Sequence, residues 1–247
     1  MSTLLLRLAA PLQSWGFASR FDIRDTAREP TKSGVIGLLA AALGRSRTEN
    51  MDDLERLDFG VRIDQPGTLL RDYHIARRRT NSNRPNEAPK YDSYQTYRHY
   101  LADAVFLVGL EGEEWLLQRL MIALQNPVFP LYLGRRSCPP AGQLVLGLRD
   151  KPLLQALEEE PWQASEWYRN QIRKKHLNQV KLTIVNDAKP NEQGVFFRRD
   201  LPVSFDQRHR LYEFRIVMDT VDAVSIKIPQ PTAEIETEHD AMAGWGD

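Results

Sequence analysis

The sequence predicts an α+β fold, in which a ferredoxin-like domain with an inserted segment is followed by a smaller β-rich lobe. Segments with strand or helix patterns follow each other in the order strand, helix, strand, insertion, strand, helix, strand before residue 149. This order is typical of an antiparallel sheet with helices on one face. More candidate strands come after residue 179, which predicts the second, β-rich lobe.

These observations divide the chain into four parts. We assign the ferredoxin-like domain to residues 1–148, with an insertion at about 74–102, and the β-rich lobe to residues 149–228. The residues after Lys227 contain five acidic side chains and no basic one. Such a segment buries too little apolar surface to fold, so we expect residues 229–247 to be a disordered tail.

The first strand and the first helix are the clearest elements of the N-terminal part. Thr3–Ala9 is rich in leucine and has the length of a short strand. Thr31 can cap a helix that contains the apolar segment 35–43, and Gly44 can end this helix in the left-handed conformation. Residues 12–30, between the two elements, have no periodicity and are expected to form a basic loop.

A second strand and a projecting segment follow this helix. Phe59–Asp64 alternates apolar and polar residues, and the turn residues 65–67 before a further run at 68–73 predict a hairpin-like turn. The segment 75–90 has little to bury, so we expect it to project or be mobile. Four tyrosines then recur at every third residue, which on a helix would group their rings on one face. They are Tyr91, Tyr94, Tyr97 and Tyr100.

Residues 105–148 complete the predicted sheet. Val105–Leu110 has strand character, and Glu113–Gln125 is an amphipathic helix with two glutamates at its start, where the helix dipole favours negative charge. Gln143–Leu148 can supply the last strand. The further strands of the second lobe are expected at Val180–Val185, Val195–Arg198 and Arg210–Met218.

The charge of the chain is unevenly distributed. The total is zero, but residues 1–227 hold 33 basic and 28 acidic side chains, a net charge of +5. Residues 71–100 carry seven basic and three acidic side chains, and residues 167–186 carry five basic and no acidic ones. Basic segments of this kind attract polyanions such as nucleic acids.

Several classes of function are excluded by what the sequence lacks. No apolar run approaches the roughly 20 residues of a transmembrane helix, and the N-terminus lacks the pattern of a signal peptide, so we expect a cytoplasmic protein with no membrane partner. The single cysteine, Cys138, cannot form an internal disulfide or a thiolate zinc site by itself. Nucleotide-binding and hydrolase motifs are absent as well. We therefore expect neither a metal nor a cofactor.

Most candidates for catalysis have simpler explanations. The carboxylate pairs at 52–53 and 113–114 lie beside predicted helix ends, where solvated surface explains them. His74, together with its neighbour Tyr73, precedes three arginines and could activate a ribose hydroxyl or stabilise a cleaved phosphate. The alternative is a histidine that packs or hydrogen-bonds at a strand end. We assign no catalytic residue, but His74 and Tyr73 are the candidates if the chain is a nuclease.

Three places could hold RNA. Arg135 and Arg136 could present paired guanidiniums to a phosphate, and a structural salt bridge explains them equally well. Residues 31–33 lie at a helix start, where free backbone N–H groups suit an anion, although capping alone explains Thr31. The tyrosines at 91–100 could stack bases, but a packed face is the preferred interpretation.

Five segments occur in an order and spacing that make a family resemblance specific. They are L-R-L-A-A-P-L-Q-S-W-G at 6–16, P-T-K-S-G-V-I-G-L-L at 30–39, L-R-D-Y-H at 70–74, Q-T-Y-R-H-Y-L-A-D-A-V-F at 95–106 and Y-L-G-R-R-S-C-P at 132–139. With them the chain resembles the CasD family of type I-E CRISPR Cascade over roughly residues 4–148. The resemblance implies a ferredoxin-like, RNA-recognition-like domain with a projecting thumb and a smaller C-terminal lobe.

The resemblance also implies a role without chemistry. Family members cap the guide RNA by holding its 5′ handle, the thumb contacts the CasC backbone subunit, and the large CasA subunit docks nearby. Target DNA is then recognised mainly by guide pairing in the assembled complex. Related subunits of type I-C systems cleave repeat RNA, so a metal-independent endoribonuclease is the alternative. A third interpretation is a scaffold whose basic patches contact only proteins.

The expected binding residues combine the basic segments with this resemblance. For RNA they are Arg20, Arg24, Lys32, Ser33, Arg71, His74, Arg77, Arg78, Arg135 and Arg136. For the partner subunits they are Arg79, Arg84, Tyr91 and Tyr94.

Overall fold

Two β-sheets and five helices make up the part of the chain that the computed structural model describes, which is residues 1–16, 22–80, 90–175, 177, 179–206 and 208–228. The strands are β1 (Ser2–Ala9), β2 (Leu12–Gln13), β3 (Ile23–Arg24), β4 (Asp58–Gln65), β5 (Thr68–Thr80), β6 (Lys90–Ala102), β7 (Val105–Gly112), β8 (Val145–Arg149), β9 (Gln179–Asp187), β10 (Val195–Ser204) and β11 (Leu211–Lys227). The helices are α1 (Lys32–Leu43), α2 (Asp52–Glu55), α3 (Glu114–Gln125), α4 (Leu153–Glu159) and α5 (Glu166–Lys174). The predicted α+β class is confirmed.

The larger sheet is antiparallel and is buried on both faces at its centre. Its seven strands lie in the order β10-β11-β9-β4-β7-β1-β8. Alternate residues of a strand point to opposite faces, and those of β1 enter two different cores. Leu4 and Leu6 pack into the cluster that contains α1 and α3, whereas Leu5 packs with Leu153 and Leu157 of α4. Burial on both sides explains why this strand is a continuous leucine-rich run.

Helix α1 begins and ends where the sequence predicts. The Thr31 side chain accepts a hydrogen bond from the Gly34 backbone nitrogen, and Gly44 has a φ of 75° and closes the helix. Gly34 is required by packing, because a Cβ there would lie 2.8 Å from Cε3 of the buried Trp15 ring. The segment 14–16, which we name the tryptophan loop, is thereby held against the first turn of α1.

The hairpin-like turn expected at residues 65–67 is wrong. β4 is paired on both sides, with β7 and with β9, so it has no free edge for β5. β5 instead leaves for the second sheet, where it pairs with β6 over Thr68–Thr80 and Lys90–Ala102. Gly67, with a φ of 67° and the Ala102 carbonyl beside it, allows this change of direction.

β5 and β6 form a long antiparallel arm, which we name the hairpin arm (68–80 and 90–102). Residues 75–80, expected to project or be mobile, are ordered by strand pairing with β6. The prediction that the tyrosines form a stripe on a helix is also wrong, because residues 90–102 form a strand. In a strand, Tyr91 and Tyr97 lie on one face, and Tyr94 and Tyr100 lie on the other. β2 and β3 pair with the base of β6 and attach the arm to the body.

The strands expected in the C-terminal lobe continue the larger sheet. β9 pairs with β4 through Gly60–Arg62, and β11 and β10 follow outward. Residues 179–227 therefore share one sheet with the N-terminal part, while the division of the chain into separate domains stays a prediction. The acidic segment 229–247, expected to be disordered, lies outside the described residues. Within the described ranges, no helix combines the length and the apolar character needed to cross a bilayer.

Candidate nucleic-acid interface

An open groove of about 1110 Å³ runs between α1, the tryptophan loop, the segment 129–139 and the start of β11. Among the described residues, six arginines line it and Asp25 is the single lining carboxylate, so we name it the basic groove. The arginines are Arg24, Arg45, Arg47, Arg135, Arg136 and Arg210. Aromatic rings also line it, namely Trp15, Phe129, Tyr132, Phe205 and Tyr212. Cationic and aromatic groups along one groove are the combination that binds single-stranded nucleic acid.

Four of the expected RNA contacts line this groove, and they come from three different parts of the chain. Arg135 and Arg136 come from the segment after α3, whereas Arg24 comes from β3, more than a hundred residues earlier in the chain. Ser33 lines the groove from α1, although it is largely buried. Arg20 lies outside the described residues. The groove therefore collects charges that are far apart in sequence.

Lys32 has a structural partner instead of an open position in the groove. Its side chain is buried, and its Nζ lies 2.9 Å from Oδ2 of Asp187. Its backbone nitrogen donates to Oδ2 of Asp200 at 2.9 Å, and the Thr31 hydroxyl accepts a hydrogen bond from the Gly34 backbone nitrogen at 3.2 Å. Two N–H groups at the helix start therefore already have side-chain acceptors, and the anion site expected at residues 31–33 stays a prediction. We do not include Lys32 among the RNA contacts proposed below.

Arg215 completes this buried network between α1 and the outer strands of the sheet. It donates to Asp200 at 2.6 and 3.0 Å and to Asp187 at 2.6 Å. Burial by itself lowers the pKa of Arg215, but the hydrogen bonds and charges of Asp200 and Asp187 outweigh burial and raise the pKa above its ordinary value. Two cations and two anions thus hold the first turn of α1 beside the groove.

The segment that carries Arg135 is fixed by a close backbone contact. Gly134 has a φ of 84°, and a Cβ at this position would lie 1.6 Å from the Ser14 carbonyl oxygen. Ser14 donates its backbone N–H to Leu133 at 3.2 Å, and Leu133 donates to Cys138 at 2.7 Å. Glycine is therefore the residue that lets the two loops meet at the wall of the groove.

Arg135, in the segment after α3, contacts both β6 and β3 through its guanidinium. Its guanidinium lies 4.7 Å from the Tyr100 ring centroid, and its Nη2 donates to the Arg24 carbonyl at 2.8 Å. Its Nη1 is buried and has no hydrogen-bond partner among the described residues. A buried donor without an acceptor is unfavourable by about 1–3 kcal/mol. The guanidinium is held by the Tyr100 ring and the Arg24 carbonyl.

Sequence reasoning missed Arg45, Arg47 and Arg210. Arg45 and Arg47 follow the end of α1, where Arg45 is paired with Asp53 at 2.6 Å and Arg47 is exposed. Arg210 is exposed at the start of β11. These positions carry no local motif, and Arg210 reaches the groove because β9–β11 extend the same sheet that α1 covers.

The remaining expected contacts lie on the hairpin arm. Arg71 stacks over Tyr97 at 5.0 Å, His74 lies 2.6 Å from Asp72, and Arg77 and Arg78 are exposed. The expected partner contacts Tyr91 and Tyr94 are each about half exposed, at 55% and 53%, on opposite faces of β6. Arg79 pairs through its backbone with Tyr91. Arg84 lies outside the described residues.

The two candidates for a nuclease site do not converge. Tyr73 and His74 are successive residues of β5, so their side chains point to opposite faces of the arm. Tyr73 packs against Tyr97 with ring centroids 5.7 Å apart, while His74 pairs with Asp72 on the other face. They cannot act together on one phosphodiester in this arrangement. Among the described residues there is also no group of three or more His, Cys, Asp or Glu arranged to hold a metal.

Comparisons with known proteins agree on one family. The matching family model, described as CRISPR-associated protein (Cas_Cas5), covers residues 3–218. The CRISPR system Cascade subunit CasD of Escherichia coli (strain K12) is 39% identical over 164 residues, which cover 59% of this chain and 70% of that protein.

Solved structures give the same result over more of the chain. One described as the crystal structure of a Cas protein has a TM-score of 0.64 and 39% identity, and covers 92% of this chain and 95% of the other. Another, described as a CRISPR RNA-guided surveillance complex, has a TM-score of 0.74 and 33% identity, and covers 92% of each chain. The resemblance to CasD that the sequence motifs predict is confirmed, and the chain belongs to the CRISPR-associated Cas5 family.

Proposed function

We propose that this chain is a non-catalytic subunit of an RNA-guided surveillance complex, and that it holds the 5′ handle of the guide RNA in the basic groove. The observation that carries the proposal is the convergence of six arginines on one groove, with Asp25 as the single carboxylate among its described lining residues. The similarity to a Cascade subunit and to a surveillance complex supports it. Phosphates would position the RNA, and the exposed ring of Phe129 with the partly exposed ring of Tyr132 would stack its bases.

We further propose that the body is a ferredoxin-like domain and that the hairpin arm is the thumb. β1, α1, β4, β7, α3 and β8 occur in the chain order of that fold, and their strands lie side by side as β4-β7-β1-β8. The arm exposes apolar side chains on both faces, including Tyr73, Ile75 and Leu70. Such a surface suits contact with the CasC backbone subunit. The CasA subunit would lie near the bound handle. Target DNA would be bound mainly through the assembled complex.

Replacement of Arg135 and Arg136 by alanine tests the RNA site. We expect Arg135→Ala with Arg136→Ala to weaken binding of a repeat-derived RNA at least about tenfold, because each hydrogen bond from a charged group contributes roughly 1.5–3 kcal/mol. The salt dependence of binding should fall by about two units of slope. Both effects can be measured by titrating labelled RNA at several salt concentrations.

A matched control removes the same charge elsewhere. Arg56 and Arg119 are exposed and do not line the groove, so Arg56→Ala with Arg119→Ala should leave the affinity nearly unchanged. Arg136→Ala alone, at an exposed position, separates binding from the packing role of Arg135. Equal RNA affinity and equal assembly with partner subunits in wild type and the Arg135/Arg136 variant would reject the groove as the RNA site.

The same preparation tests for a nuclease. Because Tyr73 and His74 face opposite sides of the arm, we expect repeat RNA to stay intact at large protein excess. His74→Ala should leave the RNA as intact as wild type does. Specific cleavage by the purified chain, abolished in His74→Ala, would instead establish the endoribonuclease.

A further inference from the structure

The outer face of β10 and β11 carries an uncovered apolar patch. Phe197 lies opposite Ile216, and Val195 lies opposite Met218, so these four side chains share one face. Phe214 lies two residues before Ile216 and joins them. Phe197 and Phe214 are 70% and 63% exposed. We name this set, with Arg199, the phenylalanine platform.

The other face of the same strands is the one that packs into the body. Arg215 and Val217 are buried there, and Arg215 binds Asp200, which also caps the start of α1. Helix α1 therefore lies on that side. The platform points away from α1, and two exposed phenylalanines on it have no role in that core.

A cation is fixed at the platform. The Arg199 guanidinium lies 6.0 Å from the Phe214 ring centroid, and its Nε donates to the Tyr212 carbonyl at 3.1 Å. None of the six platform residues is acidic. Exposed rings on adjacent strands with an arginine beside them form the kind of surface on which single-stranded RNA binders stack bases.

The platform adjoins the basic groove along one strand. Arg210 and Tyr212 line the groove at the start of β11, and Phe214 follows two residues later. One strand step of two residues spans about 7 Å. Glu213, the residue between Tyr212 and Phe214, points to the opposite face of the strand, so a polynucleotide that leaves the groove at Arg210 would reach Phe214 along the face that Tyr212 and Phe214 share.

A protein strand added to the edge of β10 fits less well. The pairing of β10 with β11 shifts register between Arg198 and Leu201 and again between Pro202 and Ser204. Bulges and a proline, which lacks an N–H donor, disfavour the pairing of an edge strand with a further strand. The exposed feature of this region is its aromatic face and not its edge.

We propose that the phenylalanine platform is a second RNA-binding surface, on which bases of a single-stranded RNA that extends beyond the basic groove stack against Phe214 and Phe197. The proposal rests on the RNA-binding function proposed above. Arg199 neutralises a phosphate of the extended strand, and the rings stack without base specificity.

The test compares two single-stranded RNAs that share one sequence and differ in length. The short RNA is trimmed until it fills only the groove, and the long RNA is extended at both ends. In the full-length chain, Phe197→Ala with Phe214→Ala should bind the long RNA roughly tenfold or more weakly, since loss of a stacked base has an effect of about 1–3 kcal/mol. Its affinity for the short RNA should not change.

Three further variants sharpen this test. Phe197→Tyr with Phe214→Tyr keeps the rings and should bind the long RNA as wild type does. Arg199→Ala should reduce the salt slope for the long RNA by about one, whereas the alanine double variant should leave the slope unchanged. Trp115→Ala with Ile122→Ala removes comparably exposed apolar side chains from α3 and should have no effect.

The outcomes separate this inference from the function on which it rests. If the phenylalanine variant binds the long RNA and the short RNA each with wild-type affinity, the platform is rejected and the groove proposal stands. Failure of wild type to bind either RNA would overturn both. If the phenylalanine variant binds RNA normally but loses a partner subunit in nuclease-treated samples, the surface docks a protein and the RNA proposal is wrong.

Discussion

The Arg215→Met variant is expected to lose about 3–5 kcal/mol of unfolding free energy, the range observed when one partner of a buried ion pair is removed. Arg215 holds Asp187 and Asp200, and it is only 7% exposed. Methionine preserves much of the volume but supplies no donor. One carboxylate then lies in a buried site with no cation to balance it, because Lys32 can balance only one of the two. Denaturant unfolding of the full-length chain measures the loss.

Two comparisons identify charge as the cause. Arg215→Met with Asp200→Asn restores the balance and should recover part of the loss, whereas Arg208→Met changes an exposed arginine near the same strand and should have little effect. If the variant unfolds at the same denaturant concentration as wild type, the network does not stabilise the fold.

Local signals were sufficient for the elements whose partners lie nearby in the chain. Thr31 and Gly44 mark the ends of α1 because capping depends on a few adjacent residues. The leucines of β1 and the amphipathic pattern of α3 likewise report burial directly. The predictions that failed depended on distant pairing. The three-residue spacing of the tyrosines is compatible with a helix. Only the pairing of β6 with β5 shows that this segment is a strand.

The basic groove shows the same limit at the level of function. Arg135 and Arg136 stand out in the sequence as a pair after a glycine, and the structure places both at the groove wall. Lys32 stands out equally, yet its charge is taken up by Asp187, 155 residues away. Arg210 has no signal at all, because its place depends on the addition of β9–β11 to the sheet. Burial and long-range ion pairing, which no local pattern encodes, decide which basic residues stay available.

Gly134→Ala is expected to damage both stability and RNA binding. Alanine at a positive φ is unfavourable by roughly 1–2 kcal/mol, and here its Cβ would also lie 1.6 Å from the Ser14 carbonyl oxygen. Backbone atoms cannot move aside as a side chain can, so the two loops must separate. We expect about 2 kcal/mol of further destabilisation, together with loss of the Arg135 contacts to Tyr100 and Arg24.

Gly194→Ala is the matched control, because Gly194 has a similar φ of 78° and no atom within 4 Å of the added Cβ. It carries the same backbone strain without the collision, so it should lose only roughly 1–2 kcal/mol of stability and no RNA affinity. Unfolding curves and RNA titrations of both variants distinguish the two effects. Equal losses at both positions would mean that backbone strain alone explains Gly134. A Gly134→Ala variant with normal RNA affinity would show that the contact between the Ser14 and Leu133 loops does not position Arg135 for binding, since the collision forces that contact open.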